Sequence, residues 1–536
     1  MSSGLLEKSG ARGATALRGG RWHPSPYLVF GALFWVVMTL AYWRVPMCCD
    51  FGQHAAVVER LKANLLHPRH PMADLPGAGS PYYSPYAVAQ ALFARLTGLA
   101  GWEVVKLTGP LNLLVLLTGI GRFVRTLTPH RWAPVFALYA MVLLWGTRMA
   151  WWSGYLGLMS MTGNLAYPST FAIGLTFWIW SWTAHLTRTE TRTGTHTRTG
   201  TRTETSTGTG TDAAPFWQYA AVGALTGLTL LIHPITAVGT VTGVVAFALS
   251  RRTGRKDGQL KRWGLALVTA GALAAIWPYY SVFSLVGDQS VDAMHRQLYQ
   301  EMPARFWLAA TLGLPSLYLR WNRDRRDPLV LMFALNCAVI AYGWVTGHYT
   351  YGRIIGLTLV PLQFALAVEL TVPRPWSRAR RALGVAAVAG ALVGFLTIQA
   401  GAVVPRALDP IGFDQPPRWP TYTWAARYIA PGEVVLTDGY RPTRSLPAYG
   451  PNLVAPAWPD PALDERERSR RMSAVHTYLA PTSSRAERES IARRYHVHWL
   501  LLTRGQRLPP EAVVVAWSRK TGEVLARVNG GAPREG

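Results

Sequence analysis

The chain has 536 residues, half of them hydrophobic and only 15% charged, with a formal net charge of +26. Its apolar residues recur in long runs that approach the 17–25 residues needed to cross a bilayer, which excludes an ordinary soluble globule. The basic residues fill the gaps between those runs, with no basic helix interleaved with stacking aromatics. They therefore mark the inner ends of membrane helices and exclude a nucleic-acid surface.

In chain order, a basic tail over 1–26 (Lys8, Arg12, Arg18, Arg21) is expected inside the cell. The run at 27–43, YLVFGALFWVVMTLAYW, crosses outward. It ends without a small-residue cleavage site, so it is not a signal peptide. The stretch RVPMCCDFGQH follows and opens a first outer loop over 44–84. Here Asp50 begins an amphipathic helix with Ala55, Ala56, Val57, Leu61 and Leu65 as its apolar stripe. The segment 85–101 is short and carries Arg95, so it reads as re-entrant or interfacial; counting it as a span would put the basic gaps on the wrong side.

Further spans are expected at 104–120, 133–148, 164–183, 217–232, 235–250, 263–283, 305–319, 328–346, 353–370 and 383–403. The basic gaps between them hold Arg122, Arg125 and Arg131; Arg251, Arg252, Arg255, Lys256, Lys261 and Arg262; Arg320, Arg323, Arg325 and Arg326; and Arg374, Arg378, Arg380 and Arg381. With these gaps in the cytoplasm, about eleven spans follow. The N-terminus is then inside and the C-terminus outside the plasma membrane. Within a cytoplasmic linker over 185–214, threonine occupies nearly every second position of 187–210, with no apolar residue to bury, so disorder is expected.

The composition shifts after Val403. EVVLTDG (433–439), HWLLLT (498–503) and AVVVAW (512–517) read as strands. RERSRRMSAVHTYLA and SRAERESIARRYH read as helices, the second with Ser484 and Glu487 as a capping box. Residues 404–536 therefore form a small extracytoplasmic α/β domain on a polytopic α-helical membrane protein. The three cysteines, Cys48, Cys49 and Cys337, exclude a disulfide framework, and no Cys/His spacing fits zinc; Cys48 and Cys49 read as small packing residues.

Two residues stand out for chemistry. Asp50 has two readings. Aspartate is a preferred helix N-cap, and a carboxylate held at the lipid boundary can equally serve as a general base. Arg353 heads an apolar helix on the outer side, against the positive-inside trend. Snorkelling is one reading, and pairing with a lipid-linked phosphate is the other. His233 and His348 stand where they could assist it. The same outer face gathers Gln53, His54, His67, His70, Asp74, Tyr82, Tyr83, Asn164, Tyr279, Tyr280, Asp292, His295, Arg296, Tyr349 and Tyr351.

These features resemble the GT-C superfamily of membrane glycosyltransferases, which includes protein mannosyltransferases, aminoarabinose transferases and mycobacterial arabinofuranosyltransferases. The likeness lies in the acid of CCDFGQH, the amphipathic helix after it, the many spans and the outer C-terminal domain; the HP and YGR elements and AYGPNLVAPAWPDPALDERERSRR are similar to pieces of actinobacterial members. The resemblance implies an inverting transfer of a sugar from a polyprenyl phosphate to a glycan, lipid or protein of the cell envelope. Asp50 would be the base. Arg353, His233 and His348 would hold the donor phosphate. Gln53, His54, Tyr82, Tyr83, Asn164, Tyr279, Tyr280, Tyr349 and Tyr351 would face substrate. One departure is that Cys49 precedes Asp50 where several members carry a second acid. No cofactor or metal ligand set is assigned, and a divalent cation is left open. The alternative is a transporter or flippase of a lipid-linked sugar, which would bind the same phosphate; no inverted repeat of the kind transporters show is visible.

Overall fold

The structure is a computed structural model, described here for residues 24–528 apart from 76–78, 197–213, 251–256, 374–376 and 462. The basic tail, the larger part of the threonine-rich linker, and Arg251, Arg252, Arg255, Lys256 and Arg374 lie outside the described residues.

The membrane part begins with α1 (Pro26–Arg44), α2 (Phe51–Ala63), α3 (Pro85–Thr97), α4 (Gly101–Leu127), α5 (Ala133–Leu143), α6 (Leu158–Asn164) and α7 (Pro168–His196). It continues through α8 (Phe216–Ile232), α9 (Pro234–Leu249), α10 (Asp257–Ala275), a short α11 (Asp292–His295), α12 (Met302–Arg323) and α13 (Pro328–Thr346). A 3₁₀ turn (Tyr349–Ile354) leads into α14 (Ile355–Thr371); α15 (Arg378–Gly394) and α16 (Ala400–Val403) complete this part.

Local chemistry sets the helix ends. Ser25 and Ser84 cap α1 and α3 with their hydroxyls, and a proline follows each at the first helical position. Gly98, at φ 76°, ends α3 in the left-handed conformation that costs glycine least.

A helix stands at each of the eleven positions expected to span. Among the described residues five are long and apolar enough to cross a bilayer: α1, α4, α13, the Tyr349–Thr371 stretch containing α14, and the Arg378–Val403 stretch containing α15 and α16. Helices α5, α8 and α9 are apolar but shorter than the roughly 20 residues a perpendicular crossing needs. Helices α10 and α12 carry charged residues at an end. α3 has only 13 residues. α7 runs on through the first ten residues of the threonine-rich stretch.

The membrane core centres on α14, whose apolar window is 94% buried. Phe123 of α4, Phe177 and Trp180 of α7 and Phe364 of α14 meet there, and Phe177 stacks on Phe364 at 5.7 Å. Small residues let the backbones approach: a β-carbon added at Gly119 of α4 would stand 2.8 Å from the carbonyl of Gly174 on α7.

The C-terminal part contains α17 (Thr423–Ala426), β1 (Val434–Leu436), α18 (Pro442–Ser445), β2 (Asn452–Leu453), α19 (Glu465–Leu479), α20 (Arg485–Arg494), β3 (Val497–Leu502), β4 (Ala512–Trp517) and β5 (Val524–Val528). Its sheet has the order β2-β1-β3-β5-β4. β1 runs parallel to β2 and β3, while β5 is antiparallel to β3 and β4. The three expected strands and both expected helices are present, with the Ser484–Glu487 capping box. The short β2 and β5 carry too little alternation to announce themselves in the sequence.

This sheet domain is fastened to the first loop. Arg60 of α2 donates to the carbonyls of Gly450 and Pro451, at 2.9 Å each, and to Asn452 Oδ1 at 2.5 Å. Ala73 makes an isolated parallel bridge to Leu453. Met72 is buried in the same cluster as Tyr422, Ile429, Leu453 and Trp499. Ser80 donates to the buried Asp460 at 2.6 Å, and His70 Nε2 lies 3.4 Å from the same carboxylate. Loop and domain therefore share one core, placing the start of α2 beside α18.

Candidate active site

The site grows out of the turn between α1 and α2. Cys49 has φ 56°, a left-handed conformation rare outside glycine, and Asp50 sits at φ −91°, ψ 3°. Tyr167 holds this turn: its hydroxyl donates to the carbonyl of Cys48 at 3.1 Å and accepts from the backbone N–H of Asp50 at 3.0 Å. Asp50 occupies the N-cap position of α2, yet its carboxylate makes no capping hydrogen bond. Position and geometry part company here, and the carboxylate faces the site instead.

Three side chains act on that carboxylate. Burial pushes the Asp50 pKa above its ordinary value, while the guanidinium groups of Arg353 and Arg444 and the indole of Trp458 pull it down. Arg444 and Trp458 come from the C-terminal domain. The Arg444 guanidinium lies 3.8 Å from the ring centre of Tyr440 and 4.1 Å from that of Trp458, an aromatic clamp around a buried cation. Its Nη1 donates to the Tyr440 carbonyl at 2.8 Å, and its Nε has no partner.

Arg353 approaches from the membrane core, on the 3₁₀ turn before α14. Its Nη2 donates to Ser153 Oγ at 3.2 Å and stands 3.0 Å from His233 Nε2. His233 Nδ1 caps α9 by accepting from the Thr236 backbone N–H at 3.2 Å and lies 2.7 Å from Thr236 Oγ1. Burial and the Arg353 charge lower its pKa well below the ordinary imidazole value, so the ring is neutral. His295 is held through Nδ1 by Thr350 Oγ1 at 2.8 Å and packs edge-on to Trp152. Burial, then the Arg353 charge, lowers its pKa to about 3. The same two causes lower that of His54 to about 4. The imidazoles are therefore neutral, and the charges are one carboxylate and two guanidinium groups. That set has an anion to receive and a proton to accept, and it does not suit a divalent cation, which needs several oxygen ligands. Among the described residues no group of three or more His, Cys, Asp or Glu side chains could hold a metal ion.

Of the residues singled out in the sequence, the structure brings together Asp50, Gln53, His54, Tyr82, Arg353, His233 and His295. His54 packs its ring 4.9 Å from Tyr167 and 6.2 Å from Tyr82. Tyr82 feels the charges of Asp50 and Arg353 and has Gln53 beside its hydroxyl. The others are engaged elsewhere. Tyr83 donates to the carbonyl of Arg69, Tyr279 to Leu65 and Tyr280 to Leu231. Asn164 ties the carbonyls of Ser160 and Trp152 at 2.8 and 3.2 Å. His348 lies 3.4 Å from Asp292, whose Oδ1 also accepts from the backbone and hydroxyl of Thr350. Tyr349 packs on Tyr299 and Trp344, and Tyr351 on Tyr342. Asp74 pairs with Arg69 at 2.9 Å. Sequence reasoning missed Tyr440, Arg444 and Trp458. The one available signal was Gly52: a β-carbon there would collide with the carbonyl of Arg444.

Comparison with solved structures fixes the architecture. The chain superimposes on an arabinofuranosyltransferase, AftD from Mycobacteria, with a TM-score of 0.55 and 16% identity over 95% of this chain. It superimposes on ArnT from Cupriavidus metallidurans with a TM-score of 0.52 and 13% identity, over 95% of this chain and 99% of that one. Its fold is that of the GT-C membrane glycosyltransferases. The chain spans 40% of the length of the AftD protein. No protein-family model and no curated protein matches the chain. At these identities the shared property is the GT-C fold, and chemistry has to be argued from the site.

Proposed function

We propose that this chain is an inverting glycosyltransferase that takes a sugar from a polyprenyl phosphate in the outer leaflet and passes it to a hydroxyl of a cell-envelope glycan, lipid or protein. The observation that carries the reading is the buried carboxylate of Asp50, which makes no capping bond and feels Arg353, Arg444 and Trp458. The GT-C fold supports it. In this reading the N-terminus is cytoplasmic, the sheet domain is extracytoplasmic, and 27–403 is the transmembrane catalytic part.

Asp50 accepts the proton of the acceptor hydroxyl as its oxygen forms a bond to the anomeric carbon. The bond from that carbon to the phosphate oxygen breaks, its electron pair stays on the phosphate, and the configuration inverts. Burial raises the basicity of Asp50, which suits proton abstraction. Arg353, oriented by Ser153 and neutral His233, stabilises the charge growing on the leaving phosphate. Arg444, clamped by Tyr440 and Trp458, keeps Asp50 ionised and offers an aromatic wall to a sugar ring. Holding donor and acceptor together in this cleft supplies a further share of the rate.

The test is transfer of labelled sugar from polyprenyl-phosphate donors by membranes containing the wild type or Asp50→Asn. Transfer by the wild type and none by a folded, inserted variant supports the reading. Equal transfer by both removes Asp50 from the chemistry. A wild type that moves the lipid-linked donor across vesicles without transferring sugar supports a flippase.

A further inference from the structure

We infer, on the basis of the glycosyl-transfer reading above, that His295 sets donor specificity: its Nε2 accepts a hydrogen bond from the donor-sugar hydroxyl next to the anomeric carbon. His295 ends α11 and is 5% exposed.

The tautomer of its ring follows from hydrogen-bond chemistry. The Thr350 hydroxyl has one proton and donates it to Asp292 Oδ1 at 2.6 Å. The same oxygen accepts the Thr350 backbone N–H at 2.8 Å, which fixes the carboxylate. Thr350 Oγ1 is then left to accept from His295 Nδ1, 2.8 Å away. With its pKa lowered to about 3, the ring holds no second proton at neutral pH. The single imidazole proton is therefore on Nδ1, and Nε2 carries a bare lone pair. Among the described residues Nε2 has no hydrogen-bond partner, and it is not one of the polar atoms that the fold seals away unpaired. One nitrogen is tied and the other is open to a ligand.

Two contacts place that lone pair beside the group proposed to hold the phosphate. Thr350 and Arg353 stand three apart on one 3₁₀ turn, where side chains at that spacing line up. Trp152 packs edge-on to His295 at 5.4 Å, and the next residue, Ser153, accepts from Arg353 at 3.2 Å. A phosphate oxygen is itself an acceptor and does not suit a bare lone pair, whereas a hydroxyl does. The hydroxyl that a sugar carries nearest its own phosphate is the one beside the anomeric carbon. The low basicity of the ring fits an acceptor that stays neutral and leaves proton abstraction to Asp50.

The experiment measures kcat/KM of the full chain for polyprenyl-phosphate arabinofuranose and polyprenyl-phosphate mannose, each beside its 2-deoxy form. A site built to bind a hydroxyl rejects the analogue that lacks it. Dividing the wild-type ratio of intact to deoxy donor by that of a variant cancels the intrinsic reactivity of the deoxy sugar. His295→Phe keeps a flat ring without an acceptor, and should lower the ratio by about 5–10-fold, the usual worth of one hydrogen bond. Thr350→Val frees the imidazole and should lower the ratio part of the way, and Thr350→Ser should restore it. A His295→Phe protein with the wild-type ratio overturns the inference and leaves the transfer reading standing. So does an equal loss on intact and deoxy donors, which would make His295 purely structural. Should His295→Phe fail to fold, equal ratios in Thr350→Val and Thr350→Ser overturn it. A wild type that transfers sugar from neither intact donor removes the transfer reading, and the inference with it.

Discussion

Gly52 packs against the backbone of Arg444, with the Cα of Ser445 2.8 Å from where a β-carbon would stand. Two residues after the candidate base, α2 therefore touches α18 backbone to backbone, and this brings the aromatic-clamped guanidinium to the carboxylate. Gly52→Ala forces the two helices apart. We expect it to cost about 1–3 kcal/mol of stability, as overpacking does elsewhere, and to lower sugar transfer together with it. Gly31→Ala is the control, since nothing lies within 4 Å of a β-carbon there. Thermal unfolding in detergent beside transfer rates decides the matter; a Gly52→Ala variant as stable and active as Gly31→Ala would show that this contact positions nothing.

Asp50→Asn separates the two readings of that residue. Loss of a working N-cap costs about 1 kcal/mol. The Asp50 carboxylate caps nothing, and its pKa is raised by burial. A carboxyl with a folded pKa above its unfolded value costs stability as pH rises through the unfolded value, so removing its charge at neutral pH should leave stability unchanged or increased. Transfer should fall by about 10²–10⁴-fold, the usual contribution of general-base catalysis. A destabilised variant with intact transfer would restore the capping role.

Arg353 should act on the leaving group. Arg353→Gln removes the cation while leaving Ser153 and His233 in place, and transfer should fall by about 10²–10³-fold, as for other groups that stabilise developing charge. Arg353→Lys keeps the charge without the planar fork and should recover part of the rate. The ratio of the two rates, measured at saturating donor, reports on this. Equal rates for Gln and wild type would leave Arg353 as a snorkelling residue.

The sequence made the membrane helices legible because hydrocarbon thickness demands long apolar runs, and α1, α4 and α13 fall where those runs lie. It also pointed to Asp50 and Arg353, since a charge at the edge of a span is conspicuous. The long-range contacts were not legible. Arg444 and Trp458 lie in a part of the chain whose local pattern signals only turns and short helices, and their meeting with Asp50 depends on Arg60, Ser80 and Met72 joining the first loop to the sheet domain. Tyr83, Tyr279 and Tyr280 looked like sugar platforms by composition, but their hydroxyls are bound to backbone carbonyls. A tyrosine's type shows that it can face a sugar, and only its partners show whether it is free to.

The last prediction concerns pH. Burial sets the Asp50 carboxyl above its ordinary value, so the acid limb of kcat/KM should lie above the roughly 4 of an unperturbed aspartate. Arg353 and Arg444 both hold that value down. Arg444→Met keeps much of the packing between Tyr440 and Trp458 but removes the positive charge. The ionised form of Asp50 is then less favoured, its pKa rises, and the acid limb should move to higher pH, with the rate at alkaline pH recovering toward wild type. A pH–rate profile of the two proteins checks the direction. A purely structural Arg444 would lower the rate by the same factor at every pH and leave the limb where it was.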